Sequence, residues 1–292
     1  MELTRVLLIL LGVSLGGAGV MGLLMVAAAF KKRLNHQDIV LERLPAVFDG
    51  YRILFITDIH RRRLPEEMLT PLRGKVDAVF LGGDMTEKGA SIERLLKNMT
   101  LAASVASVYA VHGNHDYRAN ISLVDNIIRG SGARLLVDEN CVIERDGAQF
   151  ILTGVDFPRQ GGKKAYGPLP AVAEADAEAF RIILVHDPLW LSRQQEVPAD
   201  LILAGHTHGG QVVLPLIGNR HTDEFYRRYN AGMYEIPRSY NAGLPPLKLL
   251  ISRGFGTAHL PLRWRSPAEM HVLTLRCGRQ HSGSQRFNVM DT

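Results

Sequence analysis

The chain has 292 residues, of which 46% are hydrophobic and 22% charged, and its formal net charge is +5. This length accommodates one domain with a substantial core and a short appendage. The basic residues form no sustained basic helix and do not alternate with aromatic residues, so we expect no nucleic acid partner. The chain has two cysteines and no CxxC motif, which argues against a disulfide framework and against a zinc–thiolate site.

The first element is an uncharged apolar segment between Val6 and Phe30, which is long enough for a helix that crosses a bilayer. A cleaved signal peptide is the alternative, because Ala27-Ala28-Ala29 is a small-residue cleavage site. The segment is longer than a signal-peptide core, and the basic residues of 31–33 follow it at once. We therefore expect a retained anchor over residues 1–33, single-pass in the inner or plasma membrane, with the catalytic domain on the cytoplasmic face by the positive-inside rule.

Residues 34–50 are polar with scattered aliphatic side chains and predict a linker that contains one short strand. A catalytic domain over 51–277 and a polar tail over 278–292 follow. Within the domain, five apolar runs have the length of buried strands, and each ends in polar residues. Residues 51–57 lead to Asp58 and His60, 75–81 to Asp84, 107–111 to Asn114, His115 and Asp116, 181–185 to His186, and 200–203 to His206 and His208.

The intervening segments predict helices and antiparallel strands. Ser91 caps a helix whose apolar stripe, Ile92, Leu95, Leu96 and Met99, is expected to lie in the core. A second helix ends at Gly130, and residues 171–179 predict a third. Further strands are expected at 133–137, 141–144, 149–155, 249–253 and 270–275, with a hairpin turn at Asp146-Gly147. Residues 215–247 predict an irregular lid or rim.

The polar residues at the strand ends predict a metal centre, because loops at the carboxyl ends of strands in an open α/β sheet share one edge. Oxygen and imidazole donors without thiolate favour manganese first, with iron, zinc or magnesium as alternatives. So many donors overfill one ion and suit two, which together lower the pKa of a shared water and neutralise phosphoryl oxygens. The candidate ligands are Asp58, His60, Asp84, Asn114, His186, His206 and His208.

The ordered blocks Asp58-x-His60, Gly83-Asp84, Gly113-Asn114-His115-Asp116, His186 and Gly205-His206-Thr207-His208 resemble the calcineurin-like metallophosphoesterases, over about residues 51–275. The resemblance implies an α/β fold with α+β elements, in which two mixed β-sheets are sandwiched between helices. It implies one metal at Asp58, His60, Asp84 and His208, and a second at Asp84, Asn114, His186 and His206. It also implies that His115 protonates the leaving oxygen and that Asp116 orients His115.

The Gly209-Gly210-Gln211 extension, the Pro261-Leu262-Arg263 segment and the N-terminal anchor are most similar to the membrane-bound phosphodiesterase branch, which includes hydrolases of the lipid A precursor UDP-2,3-diacylglucosamine. This similarity implies hydrolysis of a phosphodiester or pyrophosphate in a phosphorylated, lipid-linked substrate; that precursor would give 2,3-diacylglucosamine 1-phosphate and UMP. A phosphodiesterase or phosphatase of another substrate is the alternative. A non-catalytic metal-binding scaffold is disfavoured, because every ligand position is filled.

The triplet Arg61-Arg62-Arg63 departs from the family, whose members have small or apolar residues after the histidine. It is either a phosphate-contacting group or a solvated, headgroup-facing patch. We take Arg61 and Arg62 as candidate substrate-binding residues, together with Arg227 and Arg228 of the lid segment. The sequence leaves the oligomeric state open.

Overall fold

The order of elements follows the predicted alternation of buried strands and helices. The computed structural model describes residues 2–158, 166–176, 178–213, 223–238 and 243–278. The helices are α1 Glu2–Ala29, α2 Glu66–Leu69, α3 Ile92–Ala103, α4 Ile121–Gly130 and α5 Glu224–Arg228. The strands are β1 Leu34–Leu41, β2 Arg52–Ile56, β3 Ala78–Leu81, β4 Ser107–Ala110, β5 Arg134–Leu135, β6 Glu139–Arg145, β7 Ala148–Val155, β8 Arg181–Val185, β9 Leu201–Ala204, β10 Gly232–Ile236, β11 Leu247–Ile251 and β12 Met270–Cys277.

The strands form two mixed six-stranded sheets, with the orders β1-β12-β2-β3-β4-β5 and β10-β11-β9-β8-β7-β6. In the first sheet β2, β3, β4 and β5 are parallel, and β12 runs antiparallel to β2. In the second, β7, β8, β9 and β11 are parallel, and β6 and β10 pair antiparallel at its edges. The predicted fold of two mixed sheets is confirmed.

Four buried phenylalanine side chains lie between the two sheets. Phe48, Phe55, Phe80 and Phe150 have no exposed surface and belong to one apolar cluster that both sheets contribute to. Truncating such a phenylalanine to alanine costs about 3–5 kcal/mol. A second cluster lies between the first sheet and α3 and α4, and a third covers the outer face of the second sheet around the buried Trp190. Helices thus flank the packed sheets, as expected.

Helix α3 begins as predicted, because the Ser91 hydroxyl accepts a hydrogen bond from the Arg94 backbone N–H. Its predicted apolar stripe is only half correct. Leu95 and Met99 are buried, whereas Leu96 is 49% and Ile92 38% exposed. The buried face follows the contact with the sheet and with α4, which is narrower than the stripe in the sequence.

Three predicted segments are corrected by the structure. Residues 34–50 are not a linker, because β1 pairs in parallel with β12 along its whole length and a 3-10 turn at Ala46–Phe48 follows. Residues 171–179 form no α-helix over the residues described there, only a 3-10 turn at Glu174–Asp176, since neighbouring side chains bind the extended backbone. The lid segment 215–247 is not wholly irregular, since it contains α5 and β10; its residues 215–222 and 239–242 lie outside the described ranges.

Helix α1 contributes no residue to the three apolar clusters described above. It has 28 residues, and its most apolar window has a mean hydropathy of 2.3 and is not buried. At 1.5 Å per residue it is about 42 Å long. By length and composition it is able to cross a membrane. At the other end of the chain, β12 ends at Cys277, and all but Gly278 of the predicted polar tail lies outside the described residues.

Candidate metal centre

The seven predicted ligands lie at the carboxyl ends of β2, β3, β4, β8 and β9, where the two sheets meet. Five of them adopt positive φ angles: Asp58 54°, His60 52°, Asp84 51°, His206 70° and His208 50°. Residues other than glycine rarely adopt this left-handed conformation, and it concentrates at functional sites. The tight curl it gives each strand end turns both histidines of the 206–208 loop toward the same centre.

Two glycines allow the strand-end loops to approach one another. A Cβ at Gly113 would lie 2.2 Å from Asp84 Oδ1, and a Cβ at Gly205 would lie 2.2 Å from Thr57 Oγ1 and 2.5 Å from Asp58 Oδ2. These distances are far inside van der Waals contact, so only glycine fits without displacing the carboxylates.

A first group of donor atoms comes from Asp58, His60, Asp84 and His208. The Nε2 atoms of His60 and His208 are 3.2 Å apart, and His208 Nε2 is 3.4 Å from Asp58 Oδ1. His60 Nε2 lies 3.7 Å from Asp84 Oδ2. The ligand atoms of Asp58, His60 and His208 lie within 4.8 Å of one another, as do those of His60, Asp84 and His115, so each group can share a single cation.

A second group forms around His186 on the other side of Asp84. His186 Nε2 is 3.3 Å from Asp84 Oδ2, 3.3 Å from Asn114 Oδ1 and 3.2 Å from His206 Nδ1. The other ring nitrogen, Nδ1, lies 2.8 Å from the Gly82 carbonyl oxygen, which can only accept a hydrogen bond. Nδ1 therefore carries a proton, and Nε2 faces the Asp84 carboxylate, so a cation between the two groups would bind the ring through Nε2.

The charges at this edge indicate the same need for a cation. Burial raises the pKa of the Asp58 carboxyl. Burial also acts to raise the pKa of Asp84 and to lower that of His186, but the attraction between the two outweighs it in both: the pKa of Asp84 falls, and that of His186 rises to about 10. The raised pKa values of His60 and His186 thus favour protons on these two imidazoles, which balance the buried carboxylates, whereas burial lowers the pKa of His208. A bound metal ion would replace those protons.

Three residues that the sequence analysis did not predict as site residues contact ring nitrogens of the candidate histidine ligands. Glu87 Oε2 lies 3.1 Å from His60 Nδ1, and Asp187 Oδ2 lies 3.7 Å from His206 Nε2. The buried guanidinium of Arg263 lies 3.2 Å from His208 Nδ1. The two carboxylates can accept the free ring N–H of a ligating imidazole and so fix its orientation, whereas the Arg263 guanidinium can only donate to His208. Glu87 and Asp187 follow predicted ligands closely in the sequence, which is a usable signal. Arg263 is more than 50 residues from His208, and the sequence marked it only through the resemblance of the Pro261-Leu262-Arg263 segment.

His115 lies beside the first group, with its ring perpendicular to that of His60 and 4.8 Å away between centroids. Its Nδ1 is 4.0 Å from Glu87 Oε2, and its Nε2 is 3.4 Å from an Arg118 nitrogen. The backbone N–H of His115 donates to Asp84 Oδ1 at 2.6 Å. The ring therefore lies next to the donor atoms while remaining partly exposed.

Asp116 does not contact the His115 ring, and the prediction that it orients His115 is wrong. Its two carboxylate oxygens accept hydrogen bonds from the backbone N–H groups of Thr86 and Gly113, at 3.0 and 2.9 Å. Burial, and then the nearby Asp84, raise the pKa of Asp116 to about 6. Asp116 thus holds together the two loops that carry Asp84 and Asn114.

The four predicted substrate arginines have different positions. Arg61 is largely exposed, forms an ion pair with Glu87 and lies at the opening beside His115. The prediction for Arg62 is wrong, because its guanidinium donates to the Phe255 carbonyl and to carbonyls at the end of α1. Arg227 and Arg228 are exposed at the end of α5, with Arg228 over the Tyr229 ring, so their role remains a prediction.

Two open cavities flank the candidate ligands and meet at His259. One, of about 440 Å³, has a basic lining beside His115. The other, of about 310 Å³, lies over the loop that carries His206 and His208. The first is lined by Arg61, Glu87, Lys88, His115, Arg118, His259 and Leu260. Together they give an anionic substrate access to the donor atoms from a positively charged side.

Comparison with known proteins adds a family match to this geometry. A family model described as calcineurin-like phosphoesterase matches residues 51–210. The chain is 29% identical over 229 residues to the uncharacterized protein YpbG of Bacillus subtilis, covering 77% of this chain and 81% of that protein. It is 29% identical over 194 residues to the phosphodiesterase YaeI of Escherichia coli, covering 63% and 70%. Among solved structures, NAD nucleotidase (NadN) of Haemophilus influenzae matches with a TM-score of 0.46 and 16% identity, over 70% of this chain and only 45% of that one.

Proposed function

This chain belongs to the calcineurin-like phosphoesterase family, and from that premise we propose that it is a membrane-anchored two-metal hydrolase of a phosphodiester or pyrophosphate bond. The observation that carries the proposal is the pair of donor groups that share Asp84 Oδ2, one through His60 at 3.7 Å and the other through His186 at 3.3 Å. Adjacent sites with a common carboxylate suit displacement at phosphorus.

The donor set fits two divalent cations and contains no thiolate. Asp58, His60, Asp84 and His208 would hold one ion, and Asp84, Asn114, His186 and His206 would hold the other. When bound, such ions activate water near neutral pH and neutralise phosphoryl oxygens. Manganese is the proposed ion, since this donor chemistry accepts it, and iron, zinc and magnesium are alternatives that depend on cellular supply.

The residues around the ligands have their own roles in the proposed reaction. His115 faces the basic cavity and donates a proton to the leaving oxygen. Glu87, between His60 and His115, keeps both rings in place. Arg61 and Arg118 line the same cavity and attract the phosphate.

The exposed apolar helix α1 supports a substrate in the membrane. The exposed apolar helix α1 is proposed as a retained single-pass anchor in the inner or plasma membrane, and the basic residues after it favour a cytoplasmic catalytic domain. An anchored enzyme gains local concentration for substrates in the same bilayer. We therefore propose a lipid-linked phosphate compound, with UDP-2,3-diacylglucosamine as the first candidate. A phosphodiesterase of broader specificity is the alternative.

The test uses purified full-length protein with Mn²⁺. The substrates are bis(4-nitrophenyl) phosphate, 4-nitrophenyl phosphate and UDP-2,3-diacylglucosamine. Asp84→Asn removes the shared ligand, and Asp38→Asn is the matched control, because Asp38 is exposed and pairs with Arg276 far along the sheet. We expect diester hydrolysis that falls at least ~100-fold in Asp84→Asn, as expected for losing several kcal/mol of metal stabilisation, and that is unchanged in Asp38→Asn.

These assays test the two-metal mechanism and the lipid substrate separately. Equal turnover by wild type and Asp84→Asn would contradict the two-metal mechanism. UMP release from the lipid nucleotide would support the specific substrate. Diester hydrolysis without UMP release would leave the phosphodiesterase proposal in place and overturn the lipid A assignment.

A further inference from the structure

The junction between α1 and the catalytic domain is short and closely held. Four residues, 30–33, separate α1 from β1. The Arg62 guanidinium donates to the carbonyls of Ala29 and Lys31 at 3.3 and 3.2 Å, and to that of Phe30 at 3.2 Å. Helix C-termini leave carbonyl groups without partners, and a cation there also favours the helix dipole. Arg62 therefore fixes the end of α1 to the domain.

The guanidinium of Arg62 also contacts Phe255 of the catalytic domain. It lies 3.8 Å from the centroid of the Phe255 ring, and one of its nitrogens donates to the Phe255 carbonyl at 2.5 Å. One face of the last turns of α1, formed by Gly22, Met25, Ala28 and Ala29, is less exposed than its neighbours. The helix thus packs on the domain along one side and has a defined orientation relative to it.

Arg263 contacts both helix α1 and the candidate metal centre. Its backbone N–H donates to the Met25 carbonyl at 3.0 Å. Its fully buried side chain lies beside His208 and donates to the Gly256 and Ser266 carbonyls. Met25 lies four residues before the end of α1, about 6 Å along the helix axis. The metal centre is therefore close to the level at which the apolar helix ends.

The loop of residues 256–262, here named the rim loop, lies between these two points. It follows Phe255, precedes Arg263 and contributes His259 and Leu260 to the basic cavity. Leu260 is 62% exposed, and Pro261 beside it is also exposed. An exposed apolar tip at the level where a membrane-spanning helix ends suits the interface of a bilayer.

We infer that the rim loop contacts the bilayer interface and that the catalytic cavity takes its phosphate from the headgroup of an amphiphile that remains embedded in the membrane. The inference rests on the proposed anchoring by α1. The rim loop would give the protein a second contact with the lipid surface and would orient the basic opening toward that surface. The bilayer is chosen as the occupant because Arg263, directly after the loop, donates to the Met25 carbonyl of a helix that has the composition of a membrane span.

The first experiment measures contact with lipid without relying on catalysis. Leu260→Cys and Val142→Cys are prepared in a full-length Cys141→Ser, Cys277→Ser background, labelled with bimane and reconstituted in phosphatidylcholine vesicles that contain nitroxide lipids. Val142 is the matched control, because it is an aliphatic residue on β6 with 44% exposure. We expect stronger quenching, with a blue shift, at position 260 than at 142.

A second experiment compares substrates with the same leaving group. Rates are measured for hexadecyl 4-nitrophenyl phosphate in vesicles and for bis(4-nitrophenyl) phosphate in solution. A carboxylate at the interface disfavours membrane contact by at least ~1.4 kcal/mol, or about tenfold. We expect Leu260→Asp to lower the ratio of the two rates about tenfold and Val142→Asp to leave it unchanged.

Equal quenching at the two positions, in protein that floats with the vesicles, would overturn the inference while leaving the proposed anchor and chemistry intact. Protein that does not float with vesicles would overturn the anchor and the inference together. Absence of hydrolysis of either nitrophenyl substrate, with quenching at position 260, would count against the proposed function and not against the bilayer contact.

Discussion

Gly113→Ala tests how tightly the loops around Asp84 are packed. A Cβ at this position would lie 2.2 Å from Asp84 Oδ1 and 2.4 Å from the Asp84 backbone nitrogen, whereas ordinary contact begins near 3.4 Å. The carboxylate or its loop must therefore move by about 1 Å. A displacement of that size at a catalytic group costs about 100-fold in rate, or ~2.7 kcal/mol. We expect kcat/KM for bis(4-nitrophenyl) phosphate to fall by about that factor.

The assay is steady-state hydrolysis with excess Mn²⁺, accompanied by thermal unfolding to establish that the variant is folded. Gly130→Ala is the matched control, because the same added Cβ at the end of α4 would have nothing within 4 Å. That variant should retain full activity. A Gly113→Ala enzyme that keeps kcat/KM within about threefold of wild type would refute the argument that the two loops leave no room around the shared ligand.

Three further predictions follow from individual contacts. His115→Asn should slow the release of an alkoxide by about 100-fold or more but that of nitrophenolate much less, because only the alkoxide needs the proton; equal losses would contradict the assigned role. Burial acts to raise the pKa of Glu269, but His271 and Arg253 outweigh it and lower this pKa to about 2. The ionised carboxylate therefore stabilises the fold by about 3 kcal/mol above pH 4.5, and this stabilisation is lost as the pH falls toward 2. The free energy of unfolding of Glu269→Gln, measured with urea, should lack this pH dependence, and the same pH dependence in wild type and variant would refute the prediction. Arg62→Met keeps the apolar stem but removes the donors, so amide hydrogen exchange at residues 30–33 should accelerate with metal content unchanged; unaltered exchange would show that α1 is held by other contacts.

The strand ends could be predicted because each apolar run is buried on both faces and stops at a polar residue. β2, β3, β8 and β9 have almost no exposed positions, so their sequences are continuous in Ile, Leu, Val and Phe. Parallel pairing then brings their carboxyl ends to one edge. This is why Asp58, Asp84, His186 and the 206–208 loop, distant in sequence, were expected together.

The errors arise where the structure depends on distant segments. β1 has an exposed and partly buried pattern, and its partner β12 lies more than 230 residues later, so its local sequence resembled a linker. The sequence does not predict the role of Arg62, because its partners include backbone carbonyls at the end of α1, which side-chain chemistry does not reveal. Asp116 follows His115 directly, yet adjacent side chains in a turn point apart, and its carboxylate instead binds Gly113 and Thr86.

We propose that this edge of the fold binds two divalent cations that share Asp84. The most direct test is the metal content of purified, Mn²⁺-loaded protein after gel filtration, measured by inductively coupled plasma mass spectrometry for wild type, Asp84→Asn and Asp38→Asn. We expect two ions per chain in wild type and Asp38→Asn and fewer than two in Asp84→Asn. The same content in all three proteins, or none in wild type, would contradict it.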